Sequence, residues 1–387
     1  MSDEQRRHAD LVVVGAGIVG LAHAVEAVRR GLSVLVVERN ERAVGASVRN
    51  FGHGCVTGQV GQSHDWALGS RTRWQQLADQ AGFWIGTDGA VIAARSTDEL
   101  AVVEQLAHAG CDDVRLLDRR QLAGHVELSD DVLGGAHLPL DIRVNPRHAL
   151  SAIAEWIQGQ GGAQIWWSTS LLGLDGETVL TTRGEVTSDR TVVCVGHDVD
   201  RLFPDIASTA ALQRCVLHML RVASPGGRRY APAVLSGTSL LRYPAFTAVA
   251  SHASLRERYE RDQPELLRVG LNLMFTQLPD GDLTIGDTHA YGVTHDPYRD
   301  ESLDRLVLVA AARLLGVPGL EVKQRWRGVY ASAPADTLIA QATATATVVS
   351  VTSGIGMTIA HGLAGTVLDR ILATSSPSPS SSARLAW

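Results

Sequence analysis

The residues with the clearest chemical meaning lie near the start of the chain. Gly15–Gly20 read GAGIVG, and a carboxylate, Glu38, follows about twenty residues after the motif. The three glycines have separate jobs. Gly15 permits a tight turn, Gly17 lets the backbone approach a pyrophosphate, and Gly20 lets the next helix pack closely on the preceding strand. Ala16 and Ile18 lie between them, where backbone N–H groups at a helix N-terminus favour an anion. Glu38 can accept both ribose hydroxyls of an adenosine, and a carboxylate there disfavours a 2′-phosphate. The set predicts a dinucleotide site for FAD or NAD, not NADP. A glycine turn alone is weak evidence, so the flanking elements decide.

Those elements form a strand–helix–strand unit. Leu11–Val14 is a short β-branched run, Leu21–Arg30 has helical composition with Gly31 as its stop, and Leu32–Val37 is a second buried strand. Further along, Arg71–Gly82, Thr97–Gly110, Asn145–Gly161, Glu301–Leu315 and Gly362–Leu372 are expected to be helical. Gln164–Trp167, Val179–Thr182, Thr191–Val195, Leu212–Val222 and Val269–Phe275 read as strands. Asp280–Gly281 reads as a hairpin turn before Leu283–Ile285. Thr374–Ala383 is rich in serine and proline and is expected to be disordered, because it cannot bury enough apolar area to offset its ordering entropy.

Composition narrows the function classes. The chain has 387 residues, a formal net charge of −6 and 45% hydrophobic residues, which allows two domains with a sizeable core. The mild acidity argues against nucleic acid as a partner. No apolar run approaches the ~20 residues of a membrane span, and MSDEQRRHAD lacks a signal-peptide pattern. Cys55, Cys111, Cys194 and Cys215 form no CxxC pair, so neither a metal site nor a disulfide framework is expected, and a reducing cytoplasm is the expected compartment.

Three separated segments carry a family resemblance. Glu38–Gly54 reads ERNERAVGASVRNFGHG, Thr191–Pro204 reads TVVCVGHDVDRLFP, and Gly354–Gly365 reads GIGMTIAHGLAG. Together they resemble the D-amino-acid oxidase superfamily of FAD-dependent amine oxidoreductases, which includes glycine oxidase and monomeric sarcosine oxidase. ASVRNFG, SRTRW, RVNPR, GDTHAYG and RWRGVY further resemble a bacterial branch linked to phosphonate catabolism. The resemblance implies an α/β, two-domain flavoprotein. A Rossmann-like FAD domain would comprise residues 1–85, 145–212 and 330–373. An antiparallel-sheet substrate domain would comprise 86–144 and 213–329, with 374–387 as a tail. It also implies FAD contacts from Arg39, Ala46, Ser47, Arg49, Asn50, Leu171, Gly196, Gly354, Gly356, Met357 and Thr358.

The implied chemistry is oxidation of the C–N bond of a small amine. Hydride passes to the flavin, the imine hydrolyses to an aldehyde or keto product, and oxygen or another acceptor takes the electrons. His289 is the best single active-site candidate, in a strand the resemblance places across the flavin face; Tyr291 is a weaker one. Arg242, Arg327, Tyr243 and Tyr330 form a candidate set for an anionic head group, since a phosphonate needs a guanidinium fork and hydroxyl donors. His53 follows the FAD loop and is a candidate beside the ring. The plain alternative for each is a surface ion pair or a packed core side chain. The favoured substrate is an aminoalkylphosphonate or its N-alkyl derivative. Glycine, sarcosine or another amine is the first alternative, and a non-catalytic flavin-binding subunit the second. The oligomeric state stays open.

In sarcosine oxidases a cysteine two residues before a tyrosine attaches the flavin covalently; the matching residue here is Gly328, ahead of Tyr330. FAD is therefore expected to be held without a covalent link. Acid precipitation of the yellow protein should release all the colour into the supernatant, and colour retained in the pellet would show a covalent bond.

Overall fold

The computed structural model describes residues 7–109 and 113–373. The 374–383 segment and Cys111 lie outside them. One sheet of 15 strands runs through the molecule. Its first part is parallel, in the order Ala163–Trp166, Val34–Val37, Arg7–Val14, Gly184–Val193 and Ala346–Ser353. Alternation across the strands explains their apolar runs. Leu11, Val13, Val34 and Val36 face the helices Ile18–Arg29, Pro146–Gln158 and Gly356–Ala373. Val12, Val14, Leu35 and Val37 face a second cluster with Val199 and Leu212.

The order continues through Val322–Gln341, Gln213–Val222, Leu283–Gly292, Met274–Gln277 and Ala233–Ser236, each antiparallel to its neighbour. One face of this part packs Cys215, Leu217 and Met219 with Phe246 and Met274. The other packs Leu220, Val222, Leu283 and Ile285 under the helix Glu301–Leu315. That helix starts at Asp300, whose side chain accepts from Ser302 N–H at 2.8 Å, and stops at Gly316 with φ of 66°.

Val322–Gln341 joins the two parts. Its first half pairs with Gln213–Val222 and its second half with Ala346–Ser353, across an irregularity between Ser332 and Thr337. The sequence pattern did not reveal this 20-residue strand, because most of its residues are exposed or half-buried and it has no strong apolar run. Two helices also begin earlier than expected. Gly61–Ala81 starts ten residues before Arg71, and Gly356–Ala373 starts six before Gly362, because tertiary packing extends both past their clear periodicity. The expected strand at Val269–Phe275 is confined to Met274–Gln277, since Pro264–Arg268 is helical and the chain needs the intervening residues to turn. Among the described residues no helix is long and apolar enough to cross a membrane.

The helices Gly61–Ala81 and Gly356–Ala373 cross where Gly362 meets Trp66. A Cβ on Gly362 would stand 2.3 Å from the Trp66 carbonyl oxygen. Gly362→Ala should therefore lower stability by roughly 1–3 kcal/mol despite the better helix propensity of alanine. A thermal midpoint equal to or above that of the parent would show that the crossing relaxes without cost.

Candidate functional site

A cavity of about 400 Å³ begins at the glycine turn and ends under the antiparallel strands. Gly15 has φ of 102°, and a Cβ there would stand 2.5 Å from the Cys194 carbonyl oxygen. Gly17 ends the turn and precedes the helix Ile18–Arg29, which has no acidic residue in its first turn. Gly15, Gly17 and Ile18 line the cavity. Gly20 does not. Its missing Cβ would meet the Gly15 carbonyl at 1.8 Å, so Gly20 closes the turn from behind and touches no ligand directly.

Glu38 is buried at this end. Its Oε2 accepts the Ala16 N–H at 2.8 Å. Its Oε1 accepts the Asn40 N–H at 3.0 Å and the Asn40 amide at 2.9 Å. A carboxylate has about four acceptor sites, so about one stays free for a ligand. That corrects the expectation that Glu38 holds both ribose hydroxyls by itself, because the fold already uses most of its capacity. Ala16 likewise directs its N–H to Glu38 and is not part of the lining. Arg39 borders the cavity and pairs with buried Asp198 at 2.7 Å. Leu171 and Gly196 complete this end.

The middle is walled by backbone. Ala46, Ser47, Arg49 and Asn50 all line it. Ser47 Oγ accepts the Ile18 N–H at 2.9 Å. The Asn50 amide donates to the Ala46 and Ser47 carbonyls, each at 3.0 Å, so this side chain shapes the loop. Opposite lie Gly354, Gly356, Met357 and Thr358, where the helix Gly356–Ala373 begins. A Cβ on Gly354 would stand 3.0 Å from the Tyr330 ring. Two helix N-termini thus face one cavity without an acidic first turn, which is favourable for phosphate oxygens. His53 sits beside them, buried, with Nε2 2.9 Å from Asp141 Oδ2. Ligand-type atoms of His53, Cys55 and Asp141 fall within 4.8 Å of one another, a grouping that residue spacing did not show.

The far end holds the ionisable groups. Half-buried Arg242 donates to Tyr330 Oη at 2.9 Å and to Tyr291 Oη at 3.3 Å. Burial alone would lower this guanidinium, but Tyr330, Tyr291 and Asp287 raise it above the usual arginine value. Burial pushes the Asp287 carboxyl up to about 7, against the pull of Arg242 and Asn272. Burial, with Arg242, holds His289 well below the usual imidazole range. Burial raises the Tyr243 and Tyr330 phenols, which stay protonated. Tyr243 also contacts Met274 Sδ at 3.7 Å.

Arg327 is not in this group. Its guanidinium donates to the Pro297 and Asp296 carbonyls at 2.8 and 2.7 Å, outside the cavity. Gly328, Val329, Tyr330 and Ala331 of the strand Val322–Gln341 line the cavity, whereas Arg327, just before them, is drawn away to those two carbonyls. Asp287, Asn272 and Met274 line the cavity and were missed. For Asp287 the signal existed, since it lies two residues before His289 in one strand and shares its face.

The sequence matches the family model described as FAD dependent oxidoreductase (DAO) over residues 10–370. The chain belongs to the DAO family of FAD-dependent oxidoreductases. An opine oxidase subunit of Agrobacterium tumefaciens (strain Ach5) is 26% identical over 230 residues, covering 53% of this chain and 61% of that protein. The chain therefore matches less than two thirds of that relative's length. Glycine oxidase from Geobacillus kaustophilus superposes with a TM-score of 0.75 at 17% identity, covering 96% of each chain. Iminodiacetate oxidase from Chelativorans sp. BNC1 gives 0.72 at 18% identity, covering 95% and 96%. These structures share the two-domain flavoprotein fold.

The cavity suits FAD. The glycine turn and the two helix N-termini would take the pyrophosphate, and Glu38 one ribose hydroxyl. Cys55 and Cys194 also line the cavity, but burial raises both thiols far above the range of a reactive thiolate. Gly328 has little room for any side chain, since a Cβ would stand 3.0 Å from the Arg49 carbonyl.

Glu38→Ala should weaken FAD binding about ten- to a hundredfold, from loss of one charge-assisted bond worth roughly 1.5–3 kcal/mol. It should also destabilise the apoprotein, because the Ala16 N–H loses its acceptor. Flavin fluorescence on dilution measures the first effect and apoprotein melting the second; unchanged flavin retention would remove Glu38 from the site.

Proposed function

We propose that this flavoprotein oxidises the C–N bond of small amines that carry an anionic head group. The observation that carries the reading is Arg242 at the far end of the cavity, its guanidinium flanked by the Tyr330 and Tyr291 hydroxyls. A guanidinium with hydroxyl donors beside it is a receptor for a carboxylate or phosphonate. Relatives named for oxidising opines, glycine and iminodiacetate support the amine class. In this reading residues 1–85, 145–212 and 330–373 hold the cofactor, and 86–144 and 213–329 the substrate.

When bound, FAD supplies the two-electron acceptor for C–N oxidation and passes the electrons to oxygen or another acceptor. The protein's part is orientation. Arg242 fixes the head group, which aims the opposite, amine-bearing end toward Asp287 and His289. Leu217, Met274 and Phe51 supply apolar wall that excludes water. Dry surroundings strengthen each charge-assisted contact.

A second reading narrows the head group to a phosphonate, as in an aminoalkylphosphonate or its N-alkyl derivative. Donor count favours it, because the guanidinium and the Tyr330 hydroxyl, which line the cavity together, suit a head group with three acceptor oxygens. Charge count favours a carboxylate, because Arg327 faces elsewhere and does not add its charge to that of Arg242.

Anaerobic mixing of the holoenzyme with glycine, sarcosine and 2-aminoethylphosphonate tests both. At least one should bleach the yellow flavin band, and Arg242→Met should lower kcat/KM for that compound by about ten- to a hundredfold or more. If every amine leaves the band unchanged, the protein is a flavin-binding subunit without turnover. If carboxylates bleach it faster than every phosphonate, the phosphonate reading falls.

A further inference from the structure

Two acceptor atoms confront one another in the wall of the cavity. His289 Nδ1 lies 2.8 Å from the Gly270 carbonyl oxygen, which can only accept, so Nδ1 carries the ring proton. His289 Nε2 then presents a lone pair. It lies 3.7 Å from Asp287 Oδ2, too far for a direct hydrogen bond and in poor relation for two lone pairs. The side chains of His289 and Asp287 are only 2% and 6% exposed, and Asp287 Oδ1 has no hydrogen-bond partner among the described residues. Buried acceptors left in this state call for a donor. Both residues line the cavity with Arg242, so the donor would come from whatever the cavity binds.

We propose that Asp287 and His289 form a receptor for the substrate's ammonium group, and that Asp287 takes the proton that must leave before the C–N bond is oxidised. This rests on the amine-oxidising reading above and deepens it. An ammonium has donors enough to bridge Asp287 Oδ2 and His289 Nε2, which stand 3.7 Å apart. In the transfer one N–H bond breaks and one O–H bond forms. The electron pair stays on nitrogen, so ammonium plus carboxylate become neutral amine plus neutral carboxylic acid. No net charge is created or removed in the cavity. The anionic head group stays on Arg242, and the substrate is thus read as a zwitterion with its charges at fixed separation.

The surroundings suit the exchange. Arg242, His289, Tyr243 and Cys215 are the titratable or charged groups that act on Asp287, and Tyr330 and Tyr291 act on Arg242. Burial raises the Tyr243 phenol, pushes the Cys215 thiol up to about 11 and keeps His289 neutral. Asp287, lifted to about 7, is the group in this set that gains and loses a proton near neutrality.

The test uses the FAD-loaded enzyme and the best amine substrate, with acetate as a probe that has a head group but no amine. In the parent, the rate of anaerobic flavin reduction should fall tenfold per pH unit below about 7, where Asp287 is already protonated and cannot accept. Asp287→Asn should slow reduction by about 10²–10⁴-fold. It should also abolish that acidic limb, so the rate rises only with the ammonium's own deprotonation at alkaline pH. Acetate binding, read as a shift in the flavin spectrum, should change less than threefold, because the Arg242 clamp is untouched. Asp287→Glu keeps a carboxyl and should recover the acidic limb. Should Asp287→Asn fail to fold or to bind acetate, Asp287→Glu and His289→Gln decide; a Glu variant that binds acetate but shows no acidic limb overturns the proposal. Asp287→Asn with parental rate and pH profile also overturns it while leaving the amine-oxidase reading intact. A parent enzyme that no amine reduces sinks that reading instead.

Discussion

The cavity depends on one backbone ladder. The strand Val322–Gln341 pairs with Gln213–Val222 along one half and with Ala346–Ser353 along the other. It therefore ties the antiparallel roof to the parallel sheet that carries the glycine turn. Backbone hydrogen bonds fix register, and a slip of one residue would exchange the faces of every side chain on the strand. Tyr330 would then no longer face Arg242. The placement of Arg242 against Tyr330 is thus a consequence of sheet register, and the site inherits the rigidity of the ladder.

Charge is distributed along the cavity in an order that matches its proposed contents. Glu38 stands at one end, two helix N-termini lie in the middle, and Arg242 closes the other end with Asp287 and His289 nearby. Each buried charge carries a desolvation cost that the fold must offset. Glu38 is offset by three hydrogen bonds from the loop it shapes. Asp287 has one carboxylate oxygen without a partner among the described residues, and burial raises its proton affinity. Groups left short of partners in a water-poor wall are where a ligand gains most by supplying them.

Similarity to solved structures illustrates how much of such a protein is architecture. A TM-score of 0.75 coexists with 17% identity to a glycine oxidase. Parallel strands covered on both faces need only apolar, β-branched residues in alternation, and many sequences satisfy that. The cofactor turn needs particular glycines because backbone atoms occupy the space of a Cβ. Substrate recognition is set by side chains on the roof, where the fold imposes position but not chemistry.

The sequence by itself determined the local features. GAGIVG between an apolar strand and a helix, with Glu38 at the end of the next strand, specifies a dinucleotide turn because every requirement is met by residues close in the chain. The helix Glu301–Leu315 was legible for the same reason, since its cap, apolar stripe and terminal glycine are contiguous. Only tertiary structure decided the far end of the cavity. Arg242, Asp287 and Tyr330 come from segments far apart in sequence, and nothing in a single segment shows which arginine faces inward. Arg242 and Arg327 are equally basic on paper; the turn after Ser239–Leu241 directs one to Tyr330, and the strand Val322–Gln341 directs the other to the carbonyls of Asp296 and Pro297. Glu38 likewise reads as a free acceptor until the fold brings the Ala16 and Asn40 N–H groups onto it. Identity of a residue is a local fact, whereas its partners and solvation, and hence its proton affinity, exist only once distant strands have paired.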